Sequence, residues 1–333
     1  MKNILITGAT GFIGKHLVEE LLKKDQKYMI YALSRKPVKI KGVKVIKGDI
    51  TKKQSLKLPE NIDTVFHLAA LTNSDKKGEE AYREFKEINF YGTLNLAEAC
   101  SKLKHLKKFI FFSSVDALGI VQGKVLDEKS DSDAKSPYDI SKYYAEKYLI
   151  GKFKKEKFPV VILRPTMVYG EGELSSAMKV NVAIFKICKM VKKHAFPIIG
   201  NGKNLLPLVH VSNIVKGAIL AEKNGKKGEI YILSDERSYP LNELVSTIAE
   251  IQNIRFPGIH VPKFFIKTTA GVFEIFESFT GFRAPIKKSA VDYITQNRMF
   301  SIAKAKKELK YMPINLKQGM EKTIKWFREK GYL

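Results

Sequence analysis

The chain has 333 residues, and 44% of them are hydrophobic, which excludes wholesale disorder and predicts one large domain or two of ordinary size. Lys and Arg number 59 against 34 Asp and Glu, so the formal net charge is +25. Only eight of the cations are Arg, and the lysines are spread along the whole chain. Because Arg is the usual reader of base edges, we expect a solvated lysine-rich surface and no nucleic-acid partner, while peripheral membrane contact stays open.

The remaining composition concerns the compartment and metals. Cys100 and Cys188 form no disulfide framework, which is typical of a reducing compartment. The N-terminal segment lacks the apolar core and cleavage site of a signal peptide, and no apolar stretch of about 18 residues predicts a transmembrane helix. No pair of His or Cys residues has metal-ligand spacing. We therefore expect a cytoplasmic protein without a catalytic metal.

The first half of the chain alternates strand-like and helix-like segments. Strands are predicted at 2–7, 28–33, 43–46, 64–68, 109–112 and 160–163, with helices at 15–24, 79–103 and 138–153. Nearly continuous apolar strands separated by amphipathic helices predict an α/β fold, a doubly wound parallel sheet of Rossmann type.

After Arg164 the alternation becomes irregular. Helices are predicted at 177–193, 212–222, 241–251, 263–279 and 316–329, with short strands near Pro207 and at 229–233. We expect a nucleotide-binding sheet domain at 1–168, to which a later strand can add. A smaller, mainly helical substrate-binding part at 169–333 would be interleaved with it, over the carboxyl ends of the strands.

The string TGATGFIG follows the first strand and opens a helix. Its glycines, Gly8, Gly11 and Gly14, permit a tight turn and a close approach to a pyrophosphate, whose charge the helix N-terminus stabilises. Thr10, Phe12 and Ile13 complete the predicted loop contacts. A P-loop in the same register needs Gly at position 9 and Ser or Thr at 16, where the chain has Ala9 and His16. The loop therefore indicates a dinucleotide cofactor.

The end of the second strand bears on the choice of cofactor. An acidic residue there would bind the ribose hydroxyls of NAD, but the chain has Ser34 followed by Arg35 and Lys36. Two cations without a carboxylate suit a 2′-phosphate, so NADP(H) is favoured. NAD(H) stays open if Arg35 is an ordinary surface cation.

Tyr138 and Lys142 lie one helical turn apart in the string SPYDISK. An ammonium beside a phenol favours phenolate, so Tyr138 can exchange a proton with a substrate oxygen while hydride moves to or from nicotinamide. The fifth strand ends in FIFFSSVDALG, where Ser114 can hold the same oxygen. Ser114, Tyr138 and Lys142 are therefore the predicted catalytic residues.

These motifs closely resemble the extended short-chain dehydrogenase/reductases, the NAD(P)-dependent epimerase/dehydratase family. The resemblance spans almost the whole chain and includes VFHLAA at 65–70, INFYGTLNLAEAC at 88–100, LRPTMVYG at 163–170 and LVHVSN at 208–213. It supports the catalytic trio and implies that Lys142 also holds the nicotinamide ribose. It implies further cofactor contacts or supports at Asp49, Ile50, Leu68, Ala69, Ala70, Asn89, Pro165, Thr166 and Val168. A homodimer through helices that flank the tyrosine is common in the family.

The chain also departs from the family pattern. Leu118 replaces a common tyrosine, and Asn213 replaces an acidic residue, which puts a specific nucleotide-sugar assignment in doubt. The C-terminal strings VPKFFIKTTAGVFEIFESFTGFRAPIKKSAV and SIAKAKKELKYMP resemble a branch containing 3β-hydroxysteroid dehydrogenase-like and dihydroflavonol-4-reductase-like enzymes. The aromatic helix predicted there packs on the sheet domain, or contacts an apolar substrate or a membrane surface.

The substrate is a small molecule, either an apolar ketone or alcohol or a nucleotide sugar. The candidate substrate contacts are Thr72, Val115, Asp116, His210 and Arg283, with Arg255 as a second cation for a diphosphate. His210 is alternatively a hydrogen-bonded structural histidine. The leading hypothesis is an NADP(H)-preferring oxidoreductase acting on a hydroxyl/ketone pair. The alternatives are a nucleotide-sugar epimerase or dehydratase, and a non-catalytic NADPH-binding or membrane-associated protein.

Overall fold

The structure is a computed structural model that describes residues 1–23, 27–119, 123–172, 183–256, 258–266, 268 and 295–333. Its centre is a parallel seven-stranded sheet. The strands are β1 (Lys2–Thr7), β2 (Tyr28–Ser34), β3 (Val43–Lys47), β4 (Thr64–His67), β5 (Lys108–Phe112), β7 (Val160–Pro165) and β12 (Ile230–Leu233), in the spatial order β12-β7-β5-β4-β1-β2-β3. This order confirms the predicted doubly wound sheet, and the strand from the later half lies at one edge.

Helices cover both faces of the sheet. They are α1 (Phe12–Leu22), α2 (Gly78–Phe85), α3 (Gly92–Cys100), α4 (Pro137–Glu156) and α6 (Val211–Asn224). Ile4 and Ile6 of β1 belong to the core cluster that includes side chains of α1 and α6, whereas Leu5 belongs to the cluster that includes α3 and α4. This division follows from the strand geometry, because successive side chains point to opposite faces.

The later half adds a second core. Helices α5 (Ala183–Lys192), α7 (Leu241–Ile251) and α8 (Leu316–Glu329) contribute buried apolar side chains to it. Pairs of short strands surround this core: β8 (Met167–Tyr169) with β11 (Leu208–His210), β9 (Pro197–Ile199) with β14 (Ile259–Val261), and β10 (Leu205–Leu206) with β13 (Tyr239–Pro240). A further pair, β6 (Val125–Leu126) with β15 (Met299–Phe300), links the two halves of the chain.

One predicted helix differs from the structure, and two others extend beyond the described residues. The run predicted at 79–103 is interrupted by a π-helical segment, Lys86–Tyr91, between α2 and α3, and helical structure ends at Cys100. Such a segment accommodates an extra residue in the helical turn, which a regular spacing pattern does not show. Residues 177–182 and most of the helix predicted at 263–279 lie outside the described residues. Among the described helices, none is long and apolar enough to cross a membrane.

Candidate active site

The glycine loop joins β1 to α1 in a conformation that excludes side chains. Gly8 has a positive φ of 74°, and a Cβ at Gly8 would lie 2.8 Å from the backbone nitrogen of Ala69. A Cβ at Gly14 would lie 2.1 Å from the carbonyl oxygen of Gly8. Helix α1 begins after Gly11 without a side-chain cap, so its first N–H groups are available to a ligand. This geometry fits a pyrophosphate held at the helix N-terminus.

The other loop positions line the same turn. Thr10 is exposed, Ile13 is half-buried, and Phe12 is buried. Leu68, Ala69 and Ala70 continue β4 beside the loop, and each is half-buried. The structure therefore brings the two segments together at the carboxyl edge of the sheet, where open α/β sheets bind ligands.

The turn after β2 carries the two predicted phosphate-binding cations. The hydroxyl of Ser34 donates to the carbonyl of Lys36 at 2.8 Å, which closes the turn. Arg35 and Lys36 are both exposed there. The turn therefore presents two cations and no carboxylate at the position that bears on cofactor choice.

Asp49 and Ile50 lie in the loop after β3. One oxygen of Asp49 accepts the backbone N–H of Thr51 at 3.0 Å and its hydroxyl at 2.9 Å, so the carboxylate shapes the loop. Ile50 is buried, and a Cβ at Gly92 would lie 2.8 Å from its Cδ1 atom. Both residues therefore help to form the carboxyl edge beside the second and third strands.

His67, at the end of β4, connects the glycine loop to the π-helical segment. Its Nδ1 lies 2.7 Å from Thr7 Oγ1, and its Nε2 lies 2.9 Å from Thr93 Oγ1. Because Thr93 donates to the carbonyl of Asn89 at 2.6 Å, its oxygen accepts from Nε2–H. Thr7 accepts the N–H of Ala69 at 3.1 Å and donates to Nδ1. Burial and nearby Lys142 lower the pKa of His67 to about 3, which keeps the ring neutral.

Asn89 connects the β4 loop to the tyrosine helix. Its side-chain oxygen accepts the N–H of Leu71 at 2.7 Å, and its amide donates to Leu71 O at 2.9 Å and to Ser141 Oγ at 3.0 Å. Ser141 in turn donates to the carbonyl of Tyr138 at 2.7 Å. The structure therefore gives Asn89 a positioning role with respect to Tyr138.

The sequence SPYD determines where α4 begins. Ser136 caps the helix, Pro137 occupies its first position, and Asp139 closes a capping box with Ser136. Tyr138 consequently lies in the first turn, and its ring packs edge-on against Phe85 with centroids 5.9 Å apart. The tyrosine is thus placed at a fixed point of the helix.

Lys142 is buried one turn after Tyr138. Its Nζ donates to the carbonyl of Phe112 at 2.8 Å and lies 6.0 Å from the centroid of the Tyr138 ring. Burial lowers the pKa of Lys142 to about 8, although the charge of Glu146 opposes the shift. The helix therefore holds this ammonium and the phenol near the end of β5.

Ser114 caps the short 3₁₀ turn that follows β5. Its hydroxyl donates to Asp116 Oδ2 at 3.0 Å and accepts the N–H of Asp116 at 3.1 Å. The second oxygen of Asp116 accepts from Arg298 Nη2 at 2.6 Å, and Arg298 is only 4% exposed. This turn packs against α4, so the sheet, the tyrosine helix and the C-terminal half meet at Ser114.

The remaining predicted residues have different surroundings. Pro165 and Thr166 are buried at the end of β7, while Val168 is half-buried in β8. Thr166 donates to Ser234 Oγ at 3.2 Å. Thr72 is exposed, and Val115 is 2% exposed beside Asp116. Arg283 lies outside the described residues.

His210 is fully buried, in contrast to its predicted approach to substrate. Its Nδ1 accepts the N–H of Ser212 at 3.2 Å as the cap of α6, and its Nε2 lies 3.0 Å from a Glu171 carboxylate oxygen. These contacts favour the structural alternative. Arg255, the second cation considered for a diphosphate, is exposed.

Several residues of this network were not predicted from the sequence. They are Thr7, Thr93 and Ser141, which connect the loops. His67 was noted only as part of a family motif and Arg298 only as a less favoured cation for a diphosphate, so the contacts of His67 with Thr7 and Thr93 and of Arg298 with Asp116 were not predicted. The scarcity of Arg in a lysine-rich chain was the one signal that could have singled out Arg298. Within the described part of the chain, no group of three His, Cys, Asp or Glu residues could hold a metal ion.

Comparison with known proteins identifies the family. Residues 4–234 match the model of the NAD dependent epimerase/dehydratase family. The chain belongs to this family. It is an NAD(P)-dependent enzyme of the extended short-chain dehydrogenase/reductase type, as the sequence motifs predicted.

Three curated relatives align over nearly the whole chain. A human dTDP-D-glucose 4,6-dehydratase is 29% identical over 98% of this chain and 90% of the relative. A UDP-glucose 4-epimerase of Vibrio cholerae is 29% identical over 98% and 95%, respectively. A putative dihydroflavonol 4-reductase of Synechocystis sp. is 26% identical over 98% and 95%.

Solved structures share the fold. A UDP-glucose 4-epimerase of Thermotoga maritima with UDP-glucose has a TM-score of 0.77 and 24% identity, covering 98% of this chain and 99% of the other. A UDP-glucuronic acid 4-epimerase of Bacillus cereus in complex with NAD has a TM-score of 0.75 and 23% identity, covering 99% and 100%. RMD of Pseudomonas aeruginosa, complexed with NADPH, has a TM-score of 0.72 and 22% identity, covering 99% and 100%.

Proposed function

We propose that the enzyme interconverts a secondary alcohol and a ketone on a small-molecule substrate, with Tyr138 as the general acid/base. The observation that carries this proposal is the convergence of Ser114, Tyr138 and Lys142 at the carboxyl edge of the sheet, beside a loop shaped for a dinucleotide. When bound, the nicotinamide would supply or accept the hydride. Residues 1–168 would carry the cofactor and residues 169–333 the substrate.

Three side chains would share the work of proton transfer and charge stabilisation. Tyr138 Oη would take the hydroxyl proton of an alcohol or return it to a ketone oxygen. Lys142 would stabilise the phenolate electrostatically and hold the cofactor ribose. The Ser114 hydroxyl, which donates to Asp116, would turn toward the substrate oxygen and stabilise its charge.

We infer that the cofactor is preferentially NADP(H). Arg35 and Lys36 are exposed after β2, and the Ser34 hydroxyl closes the turn between them and the strand. A guanidinium and an ammonium complement a 2′-phosphate. The turn Ser34–Lys36 contains no carboxylate that could bind the ribose hydroxyls of NAD. Structures that share this fold are complexed with NAD or with NADPH, so the fold alone does not discriminate between the two cofactors. The residues of this turn are therefore what supports the assignment.

The second candidate is a nucleotide-sugar 4-epimerase, in which the hydride returns to the same molecule. The relatives named above support it, because one is a UDP-glucose 4-epimerase that aligns with 98% of the chain. A dehydratase is less well supported. Removal of water needs an acid and a base beside the alcohol chemistry, and the Ser114 turn offers the apolar Val115 and an Asp116 that is paired with Arg298.

A product-based assay would test these alternatives. The enzyme with NADPH or NADP would be incubated with a panel of nucleotide sugars and apolar ketones or alcohols, and the products separated by mass and by sugar configuration. Stoichiometric cofactor turnover would support the reductase proposal. A 4-epimer without net cofactor turnover would support the epimerase, and a product lighter by one water would contradict both.

The enzyme is further proposed to form a homodimer through the helices that flank the tyrosine. Tyr91 is 40% exposed and Tyr144 is 51% exposed on these helices. They border a groove of about 310 Å³ lined by Tyr82, Lys86, Phe90, Tyr91, Pro137, Ile140, Ser141 and Tyr144. An exposed aromatic groove is typical of an interface. We expect light scattering to give the molar mass of a dimer for the wild type and of a monomer for Tyr144→Glu. A monomeric wild type would contradict the proposal.

A further inference from the structure

Two segments of the C-terminal half carry positive charge and no Asp or Glu. Residues 183–203 contain Lys186, Lys189, Lys192, Lys193 and Lys203, and residues 251–268 contain Arg255, Lys263 and Lys267. The seven of these cations that the structure describes are all exposed. The local charge is therefore far more one-sided than in the chain as a whole.

Strand pairing brings the two segments together. In the β9–β14 ribbon, Ile259 is opposite Pro197 and Val261 is opposite Ile199. The N–H of Gly200 donates to Val261 O at 2.8 Å, and His260 Nδ1 bonds to Gly200 O at 2.9 Å. Pairing of β9 with β14 therefore places the segment that follows α5 next to the segment that carries Lys263.

Large apolar side chains are exposed in the second of these segments. Phe264 is 74% exposed, Phe265 is 61% exposed, and Ile259 is 48% exposed. The two phenylalanine rings contact edge-to-face with centroids 5.9 Å apart. Both lie within four residues of the end of β14, so the aromatic pair lies next to the β9–β14 ribbon.

The buried face of α5 is separate from these exposed side chains. Ile184, Cys188 and Val191 pack into the core that includes α7. The lysines of the helix lie at other positions of the helical turn and are exposed. The exposed face of α5 therefore carries its lysines, while its apolar face is buried in the core.

The carboxylates of neighbouring α7 have other partners. Glu243 binds Arg237 at 2.6 Å, and Glu250 binds Lys317 at 2.7 Å. Each of these pairs directs the acidic side chain toward a cation outside the two segments. The positive field of the surface is therefore not balanced by these two side chains.

We propose that this surface, called the basic aromatic patch and comprising residues 183–203 and 258–266, binds the face of an anionic lipid bilayer. Lysines near an anionic membrane are attracted to it electrostatically, and aromatic rings lie favourably at the headgroup level. A binding mode that recognises no particular headgroup suits hydrated ammonium groups better than Arg forks. The patch would hold the substrate-binding part of the enzyme at the membrane surface.

A second copy of the chain fits the patch less well than lipid. A symmetric contact would place the same patch against itself, so cations would face cations across the interface. Protein interfaces are also depleted in Lys relative to the rest of the surface. Charge complementarity therefore selects the anionic bilayer.

Vesicle flotation of the full chain tests the proposal. The protein would be mixed with vesicles of phosphatidylcholine alone or with about 30% phosphatidylglycerol, at low and at roughly ten-fold higher salt. We expect flotation with the anionic vesicles, little with the neutral ones, and release at high salt. Soluble glycerol phosphate should not compete, because the bilayer presents many charges at once. Failure of the wild type to float with anionic vesicles, or release by glycerol phosphate, would overturn the proposal.

Two variants and a matched control separate the patch from the net charge. Lys189→Gln/Lys192→Gln/Lys193→Gln should lower partitioning roughly 10–100-fold, and Phe264→Ser/Phe265→Ser at least about 10-fold. The control Lys53→Gln/Lys57→Gln/Lys102→Gln removes the same charge from exposed lysines that border a separate groove of the sheet domain. It should change partitioning less than about 3-fold.

The remaining outcomes contradict the proposal. Equal losses in the control and patch triple variants would show that the net charge alone attracts vesicles. Unchanged flotation of the phenylalanine variant would show that no insertion occurs. If the patch variants had a lower molar mass than the wild type by light scattering but floated equally well, the patch would be assigned to a second copy of the chain.

Discussion

Arg298 Nη2 lies 2.6 Å from Asp116 Oδ1, and this ion pair joins the C-terminal half to the turn that begins at Ser114. The Arg298 side chain is 4% exposed and that of Asp116 is 23% exposed. The same carboxylate accepts from the Ser114 hydroxyl through its other oxygen. Two segments that are 182 residues apart therefore fix the position of the serine.

Removal of the Arg298 guanidinium should destabilise the fold and loosen the position of Ser114. Arg298→Met leaves the Asp116 carboxylate without this ion-pair partner in a confined site, so we expect a loss of about 2–4 kcal/mol in the free energy of unfolding. Urea unfolding measures it. Arg237→Met is the control, because its pair with Glu243 is more exposed, at 56% and 36%, and should change stability by less than about 1 kcal/mol. Equal unfolding midpoints for Arg298→Met and wild type would contradict the structural role.

Tyr138→Phe should remove turnover and leave cofactor binding intact. The phenol supplies the exchangeable proton, so its loss should lower kcat by roughly 10²–10⁴-fold. Binding of NADPH, followed by fluorescence, should change less than about 3-fold, since the loop contacts stay in place. Tyr144→Phe, an exposed tyrosine of the same helix, is the control. A Tyr138→Phe variant with wild-type kcat would overturn the acid/base assignment.

The local motifs could be predicted from the sequence because each lies within a few residues of chain. The glycine loop combines strand, turn and helix signals, and SPYDISK combines a capping box with a helical spacing. The π-helical segment could not be predicted this way, since apolar residues at ordinary helical spacing flank it on both sides. Its consequence, the inward position of Asn89, became visible only with the contacts to Leu71 and Ser141.

Contacts between distant segments could not be predicted from the sequence for a different reason. The sequence showed Asn213 as a departure from the family pattern, but it did not identify the residue that Asn213 contacts. In the structure its amide donates to Asp235 Oδ1 at 2.7 Å, so a carboxylate near this position comes from the segment after β12. Arg298 and Asp116 are a second example, because nothing in either local sequence specifies the other.

Arg35→Ala should discriminate between the two cofactors. If the guanidinium binds a 2′-phosphate, its removal should weaken NADPH binding roughly 10-fold and leave NADH binding within about 2-fold. Fluorescence titration with each cofactor at the same ionic strength measures both values. Lys39→Ala, which removes a nearby exposed cation, controls for the general field. Equal or tighter NADH binding by the wild type would refute the NADP(H) preference.

His67 should contribute to acid unfolding through its neutral, buried ring. Burial and Lys142 lower its pKa from 6.5 to about 3 in the folded state, so the unfolded chain binds the extra proton between these values. The free energy of unfolding should therefore fall by about 1.4 kcal/mol for each pH unit as the pH decreases from 6.5 toward 3. This contribution is fully present above pH 6.5 and is lost on acidification.

His67→Gln measures this contribution, because glutamine keeps a donor and an acceptor but does not titrate. We expect lower stability at pH 7, since the ring contacts to Thr7 and Thr93 are altered, together with a shallower loss between pH 6.5 and pH 4. Urea unfolding at each pH gives both quantities. His105→Gln, at an exposed position, should retain the wild-type slope. If His67→Gln also retained that slope, the protonation of His67 would not be linked to unfolding, and the neutral Thr7–His67–Thr93 connection would be wrong.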